Sequence, residues 1–208
     1  AEFDQRLINK LPAKKLHQHR YNRLIQHLGK CCLTYGCPAA RNYFLGRWEA
    51  PLPSSPICNA SCVGCISLQP SGCCPSTQDR IRFVPTAHEI AEIAIPHLEN
   101  APRPVVSFGQ GCEGEPLLAV DVIAPAIRSI RAATDRGTIN VNTNGSRPAA
   151  LNLLMDAGLD SLRISLNSVR EDCYNAYFRP GGYRFSDVVA GIDLALRRGV
   201  HVALNYLN

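Results

Sequence analysis

The chain has 208 residues, of which 46% are hydrophobic and 19% are charged, with a formal net charge of +5. This composition argues against disordered, collagen-like and coiled-coil chains and favours a globular domain. The sequence has neither the roughly 18 uninterrupted apolar residues of a membrane-spanning helix nor an N-terminal signal-peptide pattern. We therefore expect a soluble, cytoplasmic protein that does not enter a membrane. Because the chain opens with Ala1 and stops at Asn208 inside an apolar run, we expect a piece of a longer protein.

The positive charge is concentrated at the N-terminus. Residues 1–49 carry four Lys and five Arg against three acidic residues, whereas residues 50–208 carry 13 Arg against 14 acidic residues. A basic segment can bind nucleic acid, but no RNA-binding signature accompanies it, and a solvated helix face carries similar charge. We interpret residues 1–49 as a basic helical arm and a Cys-bearing linker, and residues 50–208 as the core domain. Nucleic acid is disfavoured as a partner.

The first predicted elements of the core differ in how clearly they are marked. A first strand falls in Pro51–Ile57, where three prolines cannot donate to a β ladder, so its bounds are poorly defined. Residues 66–81 are predicted to be a loop rich in Ser, Gly and Cys. Thr86 with Glu89 forms a capping box that predicts a helix, and Val105–Phe108 follows as a buried strand.

Strands and amphipathic helices continue to alternate through the rest of the chain. The predicted elements are helix Leu117–Ala133, strand Ile139–Val141, a helix capped by Ser146 and ended by Gly158, strand Leu162–Leu166, a helix from Ser168 to about Phe178, a helix capped by Ser186 and ended by Gly199, and strand Val200–Tyr206. Such alternation predicts a parallel sheet, either closed towards a barrel or open and doubly wound. In both cases ligands bind at the carboxyl ends of the strands.

Three of the ten cysteines lie within eight residues, at Cys58, Cys62 and Cys65. Because the chain is large, lacks an export signal and groups its cysteines unevenly, metal binding is a better interpretation than disulfides. An iron–sulfur cube usually takes four Cys, so a three-Cys loop leaves one iron open to another ligand. The alternatives are a structural zinc site that borrows a fourth ligand such as Cys73, or unligated thiols.

Polar or glycine-rich segments follow the predicted strands at 109–116, 142–145 and 165–168. Their order after the Cys-x3-Cys-x2-Cys loop resembles the radical S-adenosylmethionine (radical SAM) superfamily: Gly114-Glu115-Pro116, then Thr143-Asn144-Gly145, then Ser165-Leu166-Asn167-Ser168. Each segment also has an ordinary interpretation, as a helix-dipole partner, a turn or a helix cap. The resemblance implies an α/β fold, a partial (β/α)6 TIM-like barrel with about five strands present and the helical arm before it.

The resemblance also implies the cofactor contacts. Cys58, Cys62 and Cys65 would ligate a [4Fe–4S] cluster, while Gly114 and Glu115 would hold the methionine amino group of S-adenosylmethionine (AdoMet). The ribose and carboxylate of AdoMet would face three further side chains, those of Asn144, Ser165 and Asn167. Two residues depart from the family pattern: Glu113 replaces a glycine, and Gly64 replaces the usual large apolar residue before the third cysteine.

As a radical SAM enzyme, the protein would use its reduced cluster to cleave AdoMet into methionine and a 5′-deoxyadenosyl radical. That radical would abstract hydrogen from an unknown substrate, and a protein such as flavodoxin or ferredoxin would supply the electron. The main alternative is a non-catalytic metal-binding module, either a zinc-stabilised interaction domain or an electron carrier. The other cysteines could build a second cluster or remain reduced thiols, the candidates being Cys31, Cys32, Cys37, Cys73 and Cys74.

Overall fold

The computed structural model describes residues 5–69 and 75–206. Its elements in chain order are α1 (Gln5–Gln18), α2 (Arg23–Leu33), α3 (Pro38–Leu45), β1 (Glu49–Pro51), α4 (Ala87–Asn100), β2 (Val105–Phe108), a 3-10 helix (Pro116–Ala119), α5 (Val120–Ala133), β3 (Thr138–Thr143), α6 (Pro148–Ala157), β4 (Ser161–Leu166), α7 (Glu171–Phe178), α8 (Phe185–Arg197) and β5 (His201–Tyr206). No helix in the described part of the chain is long and apolar enough to cross a membrane.

The five strands form one parallel sheet in the order β1-β2-β3-β4-β5. Each new strand is added on the same side, which is the order of a barrel, whereas doubly wound sheets reverse their order part-way. The predicted partial barrel with five strands is therefore confirmed. All strands end at the same edge, so the loops that follow them meet there.

The core lies between the sheet and an outer layer of helices. Helices α4, α5, α6 and α8 pack against one another in sequence. Strand β4 alternates between half-buried and buried residues, whereas β2 and β3 are buried along most of their length. The side chains of Val106, Ile139 and Ile164 are fully buried. The amphipathic patterns in the sequence therefore direct the apolar faces of strands and helices to one core.

The N-terminal segment packs onto this core as three helices. Leu24, Ile25 and Leu28 of α2 are fully buried, and α2 contacts α4. Residues that the sequence assigns to a Cys-bearing linker are largely helical, with Cys31 and Cys32 in α2 and Cys37 immediately before α3. The helical part of the prediction agrees with the structure, and these helices belong to the same core as the sheet.

Some predicted element boundaries are wrong. The first strand lies at Glu49–Pro51 and not within Pro51–Ile57, because the following prolines cannot donate to the ladder; only the backbone N–H of Leu52 still bonds to Ser107, at 2.8 Å. The predicted helix at Leu117–Ala133 is a 3-10 turn followed by α5.

Three serines predicted as helix caps do not occupy the cap position. Helix α6 starts at Pro148, whose fixed φ suits the first helical residue, so the cap is Arg147 and not Ser146. Helix α7 is preceded by Arg170, whose backbone N–H donates to the hydroxyl of Ser168. Helix α8 begins at Phe185, one residue before Ser186. Asp187, its third residue, accepts a hydrogen bond from the backbone N–H of Arg184, so Arg184 takes the cap position.

Candidate metal centre and ligand cleft

The three-cysteine loop is held by the segment that ends α7. The backbone N–H of Val63 donates to the carbonyl of Tyr177 at 3.0 Å, and that of Gly181 donates to the carbonyl of Asn59 at 2.7 Å. Ala60 and Pro180 form an antiparallel bridge between the same two segments. These contacts fix the loop at the carboxyl edge of the sheet.

The three thiols of this loop are half-buried and differ in their surroundings. Burial raises the pKa of Cys58, and it raises the pKa of Cys62 to about 12. Burial also acts to raise the pKa of Cys65, but hydrogen bonds from Ser67 and the charge of Arg80 bring it below its ordinary value. An Arg80 guanidinium nitrogen lies 3.4 Å from the Cys65 sulfur. No local pattern in the sequence indicates Arg80, because it lies 15 residues from Cys65 in a loop.

The spacing of the sulfurs separates two kinds of metal site. Among the described residues, one group of three His, Cys, Asp or Glu side chains has its ligand atoms within 4.8 Å of one another. Cys58, Cys62 and Cys65 do not belong to that group. Sulfurs around one tetrahedral zinc ion would lie about 3.8 Å apart. The cysteines of an iron–sulfur cube bind separate irons and are spread more widely. A donor set of three cysteine thiols fits an iron–sulfur cube in which one iron lacks a protein ligand.

The turn after β2 packs directly against this loop. The N–H of Gly114 donates to the carbonyl of Ser55 at 2.6 Å, and the N–H of Glu115 donates to that of Ile57 at 2.9 Å. A Cβ atom on Gly114 would collide with the Ile57 carbonyl oxygen and approach the N atom of Cys58. Glycine is therefore required where the two loops cross.

The carboxylate of Glu115 joins the ends of β2 and β3. It is buried and accepts hydrogen bonds from the N–H groups of Leu117 at 3.0 Å and Asn144 at 2.9 Å, and from the hydroxyl of Thr143. Burial raises the pKa of Glu115, although these three donors oppose the shift. The side chain is held in one orientation beside the cysteine loop.

Glu113 has a role that the sequence did not indicate. Its carboxylate is fully buried and accepts from the N–H groups of Ser54 at 2.8 Å, Ser55 at 3.1 Å and Gly109 at 2.6 Å. Burial raises the pKa of Glu113 to about 7, against the effect of these donors. The residue that departs from the family pattern thus fastens the segment after β1 to the loop after β2.

The Asn144 side chain contacts the cysteine loop. Its amide nitrogen donates to the side-chain oxygen of Asn59 at 2.9 Å, while its own oxygen accepts from the N–H of Ser146 at 3.0 Å. Asn59 in turn donates to the Ser146 hydroxyl at 2.9 Å. Since Asn59 lies between Cys58 and Cys62, this network holds the cysteine loop at the end of β3.

Two adjoining cavities form a cleft at the carboxyl edge. The smaller is about 130 Å³ and the larger about 340 Å³, and both are lined by Cys62, Gly109, Gly114, Ser165 and Phe178. Glu115 and Asn144 line the smaller cavity. The larger one extends past Tyr177 to Asn205 on β5. Apolar walls with a few polar groups are typical of small-molecule sites.

Of the five residues predicted to contact AdoMet, Asn167 lies apart from the other four. It is absent from the described lining of both cavities, and its amide nitrogen donates to the carbonyl of Cys173 at 3.4 Å. Its side-chain oxygen is buried and has no hydrogen-bond partner among the described residues. The structure thus brings Gly114, Glu115, Asn144 and Ser165 together and leaves Asn167 with an unused acceptor.

A tyrosine fills the space left by the small residue before the third cysteine. A Cβ atom on Gly64 would collide with the hydroxyl of Tyr177. In the sequence, Gly64 stands where the family pattern has a large apolar residue. In the structure the packing comes from α7, and Tyr177 stands beside the loop where the usual large side chain is absent.

The sequence profile of the Radical SAM superfamily matches residues 52–208. The chain belongs to the radical SAM superfamily. It is 33% identical over 140 residues to GTP 3′,8-cyclase from Lactiplantibacillus plantarum, covering 66% of this chain and 38% of that enzyme. It is 30% identical over 149 residues to molybdenum cofactor biosynthesis protein 1 from Drosophila melanogaster, covering 71% of this chain and 24% of that protein. The chain therefore spans well under half the length of these relatives.

Solved radical SAM structures have a similar fold. Native anSMEcpe with bound AdoMet matches with a TM-score of 0.56 and 19% identity, covering 75% of this chain and 43% of that one. HydG, a maturase of the [FeFe]-hydrogenase, matches with a TM-score of 0.55 and 18% identity, covering 99% and 40%. Radical SAM family members bind a [4Fe–4S] cluster and AdoMet.

The site fits both cofactors of this superfamily. The three thiols of Cys58, Cys62 and Cys65 would leave one iron of a cube without a protein ligand. The adjoining cleft offers a buried carboxylate, apolar walls and the Ser165 hydroxyl to a ligand with a charged amino group and an aromatic base. The predicted cofactors therefore agree with the family and with the chemistry of the residues present.

A second group of ligand atoms lies outside this radical SAM site. The ring of His27 and the sulfurs of Cys31 and Cys112 approach within 4.8 Å of one another. The hydrogen bond with Cys112 lowers the pKa of Cys31 to about 5, and the same contact, together with burial, raises the pKa of Cys112. Two further candidates for a second cluster, Cys32 and Cys37, are not members of this group, and two others, Cys73 and Cys74, lie outside the described residues.

A basic cavity of about 440 Å³ lies beside the cysteine loop and beside the group formed by His27, Cys31 and Cys112. Its described lining is Arg20, Arg23, Gln26, His27, Lys30, Asp79, Arg80, Arg82 and Phe83. Five of these residues are Arg or Lys and one is acidic. Because Arg80 also contacts Cys65, positive charge extends from the protein surface to the cysteine loop. The net positive charge of the N-terminal segment is therefore partly gathered around this cavity.

Proposed function

We propose that this chain is the catalytic core of a radical SAM enzyme acting on a substrate not yet identified. When bound, the cluster and AdoMet would supply one-electron reductive cleavage of the C5′–S bond, giving methionine and a 5′-deoxyadenosyl radical that takes hydrogen from the substrate. The observation that carries this proposal is the three-cysteine loop held beside a cleft with the buried Glu115.

The chain's own residues bind and orient the cofactors. Cys58, Cys62 and Cys65 would each ligate one iron, and the partnerless iron would be available to the amino and carboxylate groups of AdoMet. Glu115 accepts two hydrogen bonds on Oε1 and one on Oε2, and its remaining acceptor position could receive the AdoMet amino group. Gly114 would allow close approach of the backbone to that ligand.

The remaining predicted contacts would act from the far strands. Ser165 lines both cavities and would donate to the ribose or carboxylate of AdoMet. Asn144 acts chiefly on the cysteine loop, through Asn59, and would reach the ligand from the same turn. Asn167 would serve as an acceptor with its free oxygen. The side chains of Tyr177 and Phe178 would shield the reacting atoms from water.

The electron would come from a small acidic protein such as flavodoxin or ferredoxin. The basic cavity supports this, because its charge is complementary to an acidic partner and Arg80 lies 3.4 Å from the Cys65 sulfur. Replacing Arg20 and Arg82 by Glu should slow reduction by flavodoxin at least tenfold at low salt and leave reduction by dithionite unchanged. Arg128→Glu on α5 is the control. Equal flavodoxin rates in all variants would exclude this docking site.

We also propose that the protein works in the cytoplasm. The eight cysteines in the described part of the chain are free thiols. Free thiols and iron–sulfur centres are typical of a reducing compartment. Fractionation of the producing cells with an antibody to the chain would test this assignment.

The function is tested by the product of AdoMet cleavage. Anaerobic protein with its cluster, reduced by dithionite and given AdoMet, should release 5′-deoxyadenosine slowly without added substrate. Single changes of Cys58, Cys62 or Cys65 to Ala should abolish this and the cluster absorbance, whereas Cys173→Ala should preserve both. A protein that holds its cluster and binds AdoMet yet forms no 5′-deoxyadenosine would favour an electron carrier. A colourless zinc protein would favour the interaction domain.

A further inference from the structure

Three metal-ligating side chains converge away from the cysteine loop. His27 and Cys31 are four residues apart on α2 and therefore share one face of that helix, while Cys112 reaches them from the loop after β2. The imidazole Nε2 lies 3.5 Å from the Cys31 sulfur, and all three ligand atoms lie within 4.8 Å of one another. These residues do not belong to the site described above.

The spacing of these atoms matches that around one tetrahedral ion. With zinc–nitrogen bonds of about 2.05 Å and zinc–sulfur bonds of about 2.3 Å, tetrahedral angles place nitrogen and sulfur about 3.6 Å apart. A donor set of one imidazole and two thiolates suits zinc and excludes hard cations such as Mg²⁺ and Ca²⁺. We propose that His27, Cys31 and Cys112 form a zinc site.

The backbone around these residues is fixed before any metal binds. The carbonyl of Cys112 accepts from the N–H of Ile81 at 2.8 Å, and that of Cys31 accepts from the N–H of Cys37 at 3.0 Å. The side chains of Cys31 and Cys112 are 1% and 2% exposed, so their orientations are set by packing. A site prepared in this way loses little conformational entropy when an ion binds.

The ion would have a route from solvent and an open coordination position. His27 lines the basic cavity and packs its ring edge-on against Phe83. Zinc sites with three protein ligands keep the fourth position for water or another small ligand. In this chain that ligand would come from the basic cavity. The zinc site would also tie α2 to the loop that carries Glu113 and Glu115, joining the N-terminal helices to the cleft.

Cobalt can replace zinc and reports its ligands through visible absorption. The test uses the full chain with Cys58, Cys62 and Cys65 all changed to Ala, so that thiols of the cluster loop do not compete. Anaerobic titration with Co²⁺ should give one equivalent bound, with the d–d bands of a tetrahedral site and a thiolate charge-transfer band. Adding Zn²⁺ should displace the cobalt and remove the bands.

Variants then assign the ligands. Cys31→Ser and Cys112→Ser should each weaken cobalt binding at least 100-fold, and His27→Asn at the partly exposed position should shift the d–d bands. Cys32→Ala is the matched control, because Cys32 is buried beside Cys31 on the same helix and is not one of the three ligands. It should bind cobalt as the parent does. Far-UV circular dichroism of each metal-free variant confirms that loss of binding is not loss of fold.

Three results would overturn the zinc site. The first is cobalt binding below one tenth of an equivalent in the parent. The second is cobalt binding and a cobalt spectrum that are unchanged both in the His27→Asn variant and in the Cys112→Ser variant. The third is formation of an iron–sulfur chromophore in the parent on addition of iron and sulfide, with its loss in Cys31→Ser, which would assign these thiols to a second cluster. The test measures metal spectra in a chain whose cluster loop has lost its three cysteines. Its outcome is therefore independent of the proposed radical chemistry.

Discussion

Two buried carboxylates, two residues apart, hold the loops of the cleft in different ways. Glu113 bonds to backbone N–H groups of the segment after β1, whereas Glu115 bonds across to the turn after β3. Each accepts at least three hydrogen bonds, so the cost of burying its charge is partly offset. Glu115 lines the smaller cavity and Glu113 lines the larger one, so each carboxylate borders a different part of the cleft.

Changing Glu115 to Gln should weaken AdoMet binding while the cluster remains. The change removes a charge-assisted hydrogen bond to the ligand amino group, worth about 1.5 to 3 kcal/mol, or roughly 10- to 100-fold in affinity. Equilibrium binding of AdoMet to anaerobic protein with its iron content measured gives the comparison. Glu171→Gln, exposed on α7, is the control and should bind normally. Wild-type affinity in Glu115→Gln with a full cluster would leave this carboxylate a purely structural role.

At the residue scale, the sequence located the chemical groups better than it located their partners. Cys58, Cys62 and Cys65 can be predicted as metal ligands because metal-ligand spacing is local along the chain. The partnership of Asn144 with Asn59 spans 85 residues and depends on how two loops cross, so no local pattern encodes it. Asn167 is not in the described lining of the two cavities, and its amide nitrogen donates to the Cys173 carbonyl of α7, a contact that no local pattern in the sequence shows.

At the level of elements, the contact between the cysteine loop and α7 is tested by a double substitution. Gly64→Ala should lower the melting temperature and the cluster content, because its methyl group would collide with the hydroxyl of Tyr177. Tyr177→Phe removes that oxygen, and the nearest ring carbon would then lie at 3.4 Å, an ordinary contact. The double variant should therefore be more stable than Gly64→Ala alone, by about 1 kcal/mol or more.

Thermal unfolding of the wild type, both single variants and the double variant measures this coupling. Gly182→Ala serves as a comparison for adding a methyl group where no neighbour lies within 4 Å, although its positive φ adds backbone strain there. Strictly additive effects of the two substitutions would show that Tyr177 does not fill the space beside Gly64.

A second contact between elements joins α2 to α4. The Arg23 side chain donates to both oxygens of Glu89, at 2.9 and 2.7 Å, while Glu89 completes the capping box with Thr86. The hydrogen bond from Arg23 lowers the pKa of Glu89 from 4.5 to about 2. A carboxyl group with a depressed folded-state pKa stabilises the fold above its unfolded pKa, and that stability is lost as the pH falls.

Glu89→Gln should therefore lower the free energy of unfolding near pH 7 by about 1 kcal/mol. The effect is small because solvent screens the charge of Arg23, whose side chain is half exposed. The difference from wild type should shrink as the pH falls from about 4.5 towards 2. Urea unfolding at pH 7 and at pH 3 measures both values. Glu99→Gln, exposed on the same helix, is the control. A destabilisation that is the same at both values of pH would contradict a charge-based contact.

The helices and strands with strong local signals were predicted, and the weakly marked ones were displaced. The capping box of α4 and the glycine that ends α6 act within one turn, so the sequence states them directly. The caps of α6 and α8 differ from prediction because Pro148 and Asp187 favour other starting points than a nearby serine. The bounds of β1 depend on its pairing with β2, which only the folded sheet determines.

At the scale of the whole molecule, the N-terminal helices are part of the folded core and are not a separate arm. They were predicted from charge alone as an arm, yet α2 supplies residues to the core, to the basic cavity and to the group formed by His27, Cys31 and Cys112. Charge counts cannot show this, because Arg23 and Lys30 have partners far along the chain in Glu89 and Asp79. Helix α2 thus contributes side chains both to the protein surface and to the core.

The sheet has an exposed apolar strand at β5. Leu204 and Tyr206 are 49% and 51% exposed, and β5 has a strand partner only on the β4 side in the described part of the chain. An open strand edge with apolar side chains is a template for pairing with another chain. We therefore predict that this 208-residue chain self-associates through β5. Light scattering after gel filtration should show oligomers that increase with protein concentration.

Charged side chains on β5 should prevent this association. Leu204→Lys combined with Tyr206→Lys should shift the protein towards monomer, since a second copy would have to bury both charges. Val189→Lys on α8 is the matched control: that valine is also 49% exposed but lies on a helix, whose backbone groups are already paired. Its oligomers should persist. If the control dissolves the oligomers equally well, general surface hydrophobicity and not the strand edge drives association, and a wild-type chain that stays monomeric at high concentration would show that β5 is protected.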